Sequence, residues 1–211
     1  MLNGSTVNAP TNHRIKLTIY PGHYATSHAH VDTYISMTEI RCDAAMASEV
    51  ASELANKLRY TNIDTIVCLE CTQMIGSFLA KELMDGARSV NSRSVLHVVT
   101  PEINSNNQLT FNSELQKYIT GKNIALLMST VSTGRSLARA GECIEYYGGK
   151  LVGIASIFSA VETSGDFPIH TIFKKGDLAE YNHYTSNECP LCQRGRKLDG
   201  LINAGGCTKL S

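Results

Sequence analysis

A chain of 211 residues, 43% hydrophobic and 18% charged, has the size and apolar content for one domain with a real core. Nineteen basic and nineteen acidic side chains cancel, so no net field draws the chain to nucleic acid or to a membrane surface. No apolar run approaches the ~20 residues of a membrane span. The seven cysteines lack scaffold-like spacing and read as reduced thiols of a cytoplasmic protein.

Residues 1–14, MLNGSTVNAPTNHR, are polar, lack the apolar segment of an export signal, and are expected as a flexible tail. Residues 15–37 hold two short strand-like runs, IKLTIY and TYISM, around PGHYATSHAHVD. In DAAMASEVASELANKLRY, Met46, Ala47, Val50, Ala51, Leu54 and Leu58 fall on one helical face, with Asp43 as N-cap. IDTIVCL is a continuous apolar run, short enough for a strand buried on both faces. TQMIGSFLAKELMDG reads as a helix ended by Gly86, and SVLHVV as a strand. Residues 100–112, TPEINSNNQLTFN, are polar and turn-rich and read as a long loop. NIALLM reads as a strand, TGRSLARAGECIEYY as a helix closed by Gly148 and Gly149, and KLVGIASIFSA as a strand. From about Glu162 the periodicity fades, and the chain is expected to form a small cap or an irregular extension. Alternating strands and helices predict an α/β fold with a mainly parallel central sheet flanked by helices. Ligands in such a sheet sit beyond the carboxyl ends of its strands, here after Leu69, Val99, Met128 and Ser159.

One of those ends is rich in donors. The stretch STVSTGRS places the hydroxyls of Ser129, Thr130, Ser132, Thr133 and Ser136 around Gly134. The first N–H groups of a helix lack partners and carry partial positive charge, so with these hydroxyls and Arg135 they form an anion site. An ordinary helix cap would need only one such hydroxyl. Neither G-x-x-x-x-G-K nor G-x-G-x-x-G is present.

Cys68-x-x-Cys71 and Cys189-x-x-Cys192 are candidate halves of a zinc site. The first straddles a strand end, so Cys68 is expected as a core thiol. The second, with Gly195 beyond it and His183 nearby, is more knuckle-like. Zinc at Cys189 and Cys192 stands against a reduced structural turn, and the metal-free turn is preferred. His28, His30 and Asp32 alternate, and an exposed polar strand face is the plainer reading of them.

The chain resembles the type I phosphoribosyltransferases, and among them the orotate type. The family signature is an apolar strand, an acidic pair, a short link and T-G-x-[ST] opening a helix. Here IALLM, Thr133 to Ser136 and the helix leading to YYGGKLVGIASIF match it. GHYATSHAHVDTYISM is similar to the orotate group's segment before the first long helix. ECPLCQRGRKLDGLIN resembles a C-terminal segment of some bacterial members.

The resemblance implies a single type I phosphoribosyltransferase-like domain over 15–211, with a core of about 43–160 and a small hood from 15–42 and 161–211. It implies a homodimer and a ribose 5-phosphate ligand of pyrimidine nucleotide metabolism, either phosphoribosyl pyrophosphate or a nucleotide. Ser132, Thr133, Gly134, Arg135 and Ser136 would hold the 5′-phosphate, and Ser129 and Thr130 the ribose. Glu70, Cys71, Thr72 and Gln73 would form the pyrophosphate loop, and Ser27, His30 and Tyr34 would meet the base.

Several positions depart from the family pattern. Ser129 and Thr130 stand where the family has its acidic pair, and 100–112 carries no Arg or Lys. Leu69 and Met74 stand where small glycines are expected. Mg²⁺ accompanies the family's ligand, and here Glu70 is the one nearby acid to help hold it. These departures lead to an expectation of low transferase activity. The alternative is a non-catalytic nucleotide-binding sensor or regulator on the same fold.

Overall fold

The computed structural model describes residues 4–104 and 108–210. Strand β1 (Ser5–Asn8) lies antiparallel on β2 (Lys16–Ala25), which turns back into β3 (His30–Ser36). The expectation of a flexible tail over 1–14 is therefore corrected for residues 4–14, while 1–3 lie outside the described residues. Ala9 is fully buried, and Asn12 and Arg14 both bond Glu49 at 2.9 Å. Along β2, Leu17 and Ile19 turn inward, with Thr18 partly covered between them.

A short helix α1 (Thr38–Cys42) leads into α2 (Ala44–Leu58). Asp43 caps α2, its Oδ1 accepting from the N–H groups of Ala45 and Met46 at 2.8 and 3.1 Å. The buried stripe of α2, Ala47, Val50, Ala51, Leu54, Ala55 and Leu58, repeats at three and four residues, with Met46 at its edge. β4 (Thr65–Cys68), α3 (Gln73–Asp85) and β5 (His97–Val99) form the first crossover unit. Gly76 lets α3 approach β4, since a Cβ there would collide with Cys68 Sγ.

Residues 100–112 are not a plain loop. They include a two-stranded hairpin of β6 (Glu102–Ile103) and β7 (Leu109–Thr110), anchored by buried Phe111, while 105–107 lie outside the described residues. Then follow α4 (Ser113–Gln116), β8 (Asn123–Val131), α5 (Arg135–Tyr146) and β9 (Lys150–Ser159). Helix α5 closes through Gly148 at φ 76°, with the N–H of Gly148 on Glu145 O and that of Gly149 on Ile144 O.

The C-terminal part, expected as a small cap or an irregular extension, adds five strands, three of them to the hood sheet. It contains β10 (Thr163–Ser164), β11 (Phe167–Lys174), β12 (His183–Tyr184), α6 (Pro190–Gln193), β13 (Gly200–Asn203) and β14 (Gly206–Lys209). Strand β11 pairs parallel with β9, so the core runs past the expected boundary at 160.

The core sheet has the order β10-β11-β9-β8-β4-β5 and is parallel apart from β10. Alternate residues serve opposite faces. Ile66, Cys68, Leu127 and Ile157 join the cluster of α2 and α3, while Val67, Leu126, Met128 and Ile154 join that of α5. The chain leaves β4 toward β5 and returns on its other side at β8. The crevice between the carboxyl ends of β4 and β8 is the expected ligand position. A second sheet, β12-β3-β2-β13-β14 with β1 on β2, forms the hood from both ends of the chain. Among the described residues, no helix is long and apolar enough to cross a membrane.

Replacing the α2 cap, Asp43→Ala, is expected to cost about 1 kcal/mol of stability. Urea unfolding measures it, and an unchanged midpoint would show that the cap contributes nothing.

Candidate functional site

A cleft of about 170 Å³ opens where hood and core meet. One wall is residues 128–137, from the end of β8 into the first turn of α5. The other comprises the turn 26–29, Tyr34 and the β13–β14 hairpin around Ile202, Asn203, Ala204 and Gly206.

Gly134 is the N-cap of α5, with φ 78° and ψ −5°, a left-handed conformation that glycine adopts without strain. The first helical bond runs from Ala138 N–H to Gly134 O at 2.9 Å. The amides of Arg135, Ser136 and Leu137 therefore have no acceptor within the helix. No side chain caps this end, so the plain capping explanation for its hydroxyls fails. Ser132 Oγ instead shares a 2.6 Å hydrogen bond with the Tyr181 hydroxyl. Burial pushes the Tyr181 phenol up to about 12, which keeps it neutral at physiological pH. Tyr181 is held from β3, where Thr33 Oγ1 bonds Glu180 O and the Asp32 carboxylate accepts twice from Asn182. Ser132, Thr133, Gly134, Arg135 and Ser136 all line the cleft.

At the end of β4 the backbone is unusual. Glu70 and Cys71 have φ of 53° and 61°, rare for residues with a side chain. Glu70 Oε2 accepts from Ser129 Oγ at 2.6 Å, Thr130 N–H at 3.0 Å and Ser129 N–H at 3.2 Å. A carboxylate from the β4 loop thus sits on the end of β8, beside Ser129 and Thr130. Of the four residues expected in a pyrophosphate loop, Glu70 alone lines the cleft. Thr72 is buried and bonds Leu69 O, while Cys71 and Gln73 are exposed away from the cleft lining.

Arg41 also lines the cleft, and nothing in its local sequence marks it. Its guanidinium donates to Glu70 O at 3.0 Å, Ala204 O at 2.6 Å, Gly205 O at 3.3 Å and Met37 O at 3.3 Å. It joins α1, the β4 loop and the β13–β14 turn, and it adds a cation to the wall.

Of the three residues expected to meet a base, Ser27 and Tyr34 line the cleft and His30 does not. His30 points behind the wall, with Nδ1 3.2 Å from both His23 Nε2 and Cys192 Sγ. His28, His30 and Asp32 do not form an exposed strand face either. His28 belongs to the turn before β3 and faces the cleft, and Asp32 is engaged by Asn182. Cys68 is a core thiol, pushed up to about 12 by burial. The cleft lining offers one carboxylate, Glu70, whose Oε2 already accepts three hydrogen bonds. Mg²⁺ demands near-octahedral oxygen ligation, and this donor set does not build a protein-held Mg²⁺ site.

No family model matches the chain. It is 27% identical over 191 residues to an orotate phosphoribosyltransferase of Campylobacter jejuni subsp. doylei, covering 83% of this chain and 88% of that one. The solved orotate phosphoribosyltransferase of Mycobacterium tuberculosis superposes with a TM-score of 0.52 at 13% identity, over 78% of this chain and 93% of that one. The chain has the type I phosphoribosyltransferase fold. Leishmania donovani UMP synthase matches 68% of the chain with a TM-score of 0.50 and 17% identity, and the chain spans 30% of its length. At the end of β8 the adjacent carboxylate is Glu70 of the β4 loop, since that strand's own residues there, Ser129 and Thr130, are neutral.

Glu70→Ala removes the acceptor of three donors and is expected to cost about 2 kcal/mol, with Glu70→Gln costing less because its carbonyl still accepts. Chemical denaturation checks both. Equal stability of the three proteins would mean that the carboxylate does not hold the loop.

Proposed function

We propose that the cleft binds a ribose 5-phosphate group, carried by phosphoribosyl pyrophosphate or by a pyrimidine nucleotide. The observation that supports it is the meeting of two features at the end of β8. A left-handed glycine opens α5 with free amides between the hydroxyls of Thr133 and Ser136, and the Glu70 carboxylate stands in the same cleft. The 5′-phosphate would sit on residues 132–136 and the ribose hydroxyls on Glu70, Ser129 and Thr130. The base would lie toward Ser27 and Tyr34. A hydroxyl bonded to a carboxylate makes a charge-assisted bond, about twice as strong as a neutral one. The relatives named orotate phosphoribosyltransferase favour a pyrimidine base. Family resemblance also supports a homodimer.

The transferase reaction would join a base nitrogen to ribose C1 as pyrophosphate leaves with its electron pair. Stabilising that leaving charge is the main electrostatic task, and losing one donor costs ~2.7–4 kcal/mol of barrier. Residues 100–112 supply no Lys or Arg. The guanidinium of Arg41 is engaged with four carbonyls. Arg135 belongs to the phosphate turn. The cation-poor leaving-group side favours a second reading, a nucleotide sensor or regulator that binds without turnover.

Gly134→Val is expected to abolish binding of UMP and phosphoribosyl pyrophosphate in isothermal titration. The cause is the positive φ, which a β-branched residue resists, rather than a clash, since no atom lies within 4 Å of the added Cβ. Unaltered affinity would remove the turn from the site. In the same titrations, chelating Mg²⁺ is expected to change nucleotide affinity little.

A pyrophosphate-release assay with orotate is expected to give turnover far below a typical ~10 s⁻¹. Turnover in the ordinary range with any base would rule out the sensor reading.

A further inference from the structure

Behind the cleft wall, His23 of β2, His30 of β3, Cys189 at the N-cap of α6 and Cys192 within α6 converge. One ligand atom from each of His23, His30, Cys189 and Cys192 lies within 4.8 Å of the other three. His23 Nε2 is 3.2 Å from His30 Nδ1, 3.5 Å from Cys189 Sγ and 3.6 Å from Cys192 Sγ. His30 Nδ1 is 3.2 Å from Cys192 Sγ. Tetrahedral zinc, with bonds of about 2.0–2.1 Å to nitrogen and 2.3 Å to sulfur, spans edges of about 3.3 Å between nitrogens and about 3.6 Å from nitrogen to sulfur. Three of the four measured edges match those values within ~0.1 Å, and the His30–Cys192 edge is ~0.4 Å short.

We propose that His23, His30, Cys189 and Cys192 hold a zinc ion that locks the C-terminal segment onto the β2–β3 hairpin.

The hydrogen bonding of His23 supports this assignment. Its Nδ1 lies 2.9 Å from Arg196 O, and a carbonyl can only accept, so Nδ1 carries the proton. Nε2 is then a bare lone pair facing the cluster, which is the tautomer a metal requires, oriented by an outer hydrogen bond. Two thiols and an imidazole nitrogen crowd around that single lone pair. Hydrogen bonding satisfies one of them at a time, whereas a metal ion accounts for all four ligands at once. The surrounding backbone is fixed as well. His23 N–H donates to Asp199 Oδ2 and Asp199 N–H to His23 O, both at 2.7 Å. Gly195, at φ 71°, turns the chain just past Cys192. His183, the histidine nearest these cysteines in sequence, lies in β12 outside the cluster.

Four protein ligands leave no open position, so the ion is structural rather than catalytic. It backs the cleft wall, because residues 26–29 between the two histidines line the cleft. The inference does not depend on the ribose-phosphate reading.

The test is the metal content of the full chain, expressed with zinc in the medium and purified under reducing conditions without chelator. About one zinc per chain is expected. Cobalt(II) in its place should give the absorption of tetrahedral thiolate coordination. Stripping the zinc should lower Tm by at least about 5 °C, and adding it back should restore it. Cys192→Ser and His30→Ala should each lose at least nine-tenths of the zinc, while Cys42→Ser, an exposed cysteine elsewhere, should retain it. Less than a tenth of a zinc per folded chain with no cobalt uptake would overturn the site, as would full zinc in Cys192→Ser. A Tm unmoved by stripping would overturn the lock. Metal content and Tm of the unaltered chain decide the matter even where a variant does not fold.

Discussion

The Glu70 carboxylate makes one rigid unit of two loops that the sheet alone would leave independent. Two consecutive left-handed residues, Glu70 and Cys71, cost on the order of 1–3 kcal/mol each. Three hydrogen bonds to one charged oxygen, at about 1.5–3 kcal/mol each, are sufficient to offset that strain. The strained backbone is what carries the carboxylate across from β4 to β8, and the neutral pair Ser129 and Thr130 is what receives it. An acid on β8 itself would repel Glu70 at this distance. The sequence of the β8 turn and the conformation of the β4 loop are therefore one arrangement.

Arg41 extends that unit to the hood. It is bonded to the carbonyl of the same Glu70 and to the turn between β13 and β14, so a shift of the hood hairpin is felt at the strand ends. The cleft thus has a stiff floor, two cations at its margin in Arg41 and Arg135, and one anion in Glu70. This charge pattern suits a phosphate at one end and neutral hydroxyls in the middle. It offers little to a second, more highly charged phosphate group.

The core was legible because its signals are local. IDTIVCL and NIALLM are apolar on consecutive residues, which only a doubly covered strand tolerates, and Asp43 stands at the start of a 3.6-residue stripe. The hydroxyl cluster at a strand-to-helix junction was visible for the same reason, and residues 132–136 do line the cleft. What was missed depends on partners far along the chain. GLIN and GCTK are four-residue strands with no period to detect, and β1 is a strand only because β2 lies beside it. His30 looked like a base contact because Ser27 and Tyr34 face the cleft, yet its ring lies behind the wall against His23 and against Cys192, 162 residues later. Arg41 and His23 have no sequence signature at all, since their roles are set by the carbonyls and thiols brought to them.

Strand β2 pairs with β1, β3 and β13, and the bond from His23 N–H to Asp199 spans 176 residues. The hairpin of β2 and β3 is synthesised well before its parallel partner at Gly200 and Leu201. Until then one edge of the hairpin carries unmatched backbone donors and acceptors, the kind of edge on which other chains pair. The core sheet, by contrast, closes through short crossovers and needs nothing beyond Lys174. Contacts that close over 176 residues of chain slow folding, because the loop-closure entropy is lost before they form. Slow refolding and a period of vulnerability to aggregation are the expected kinetic consequences of building one cleft wall from segments so far apart in sequence.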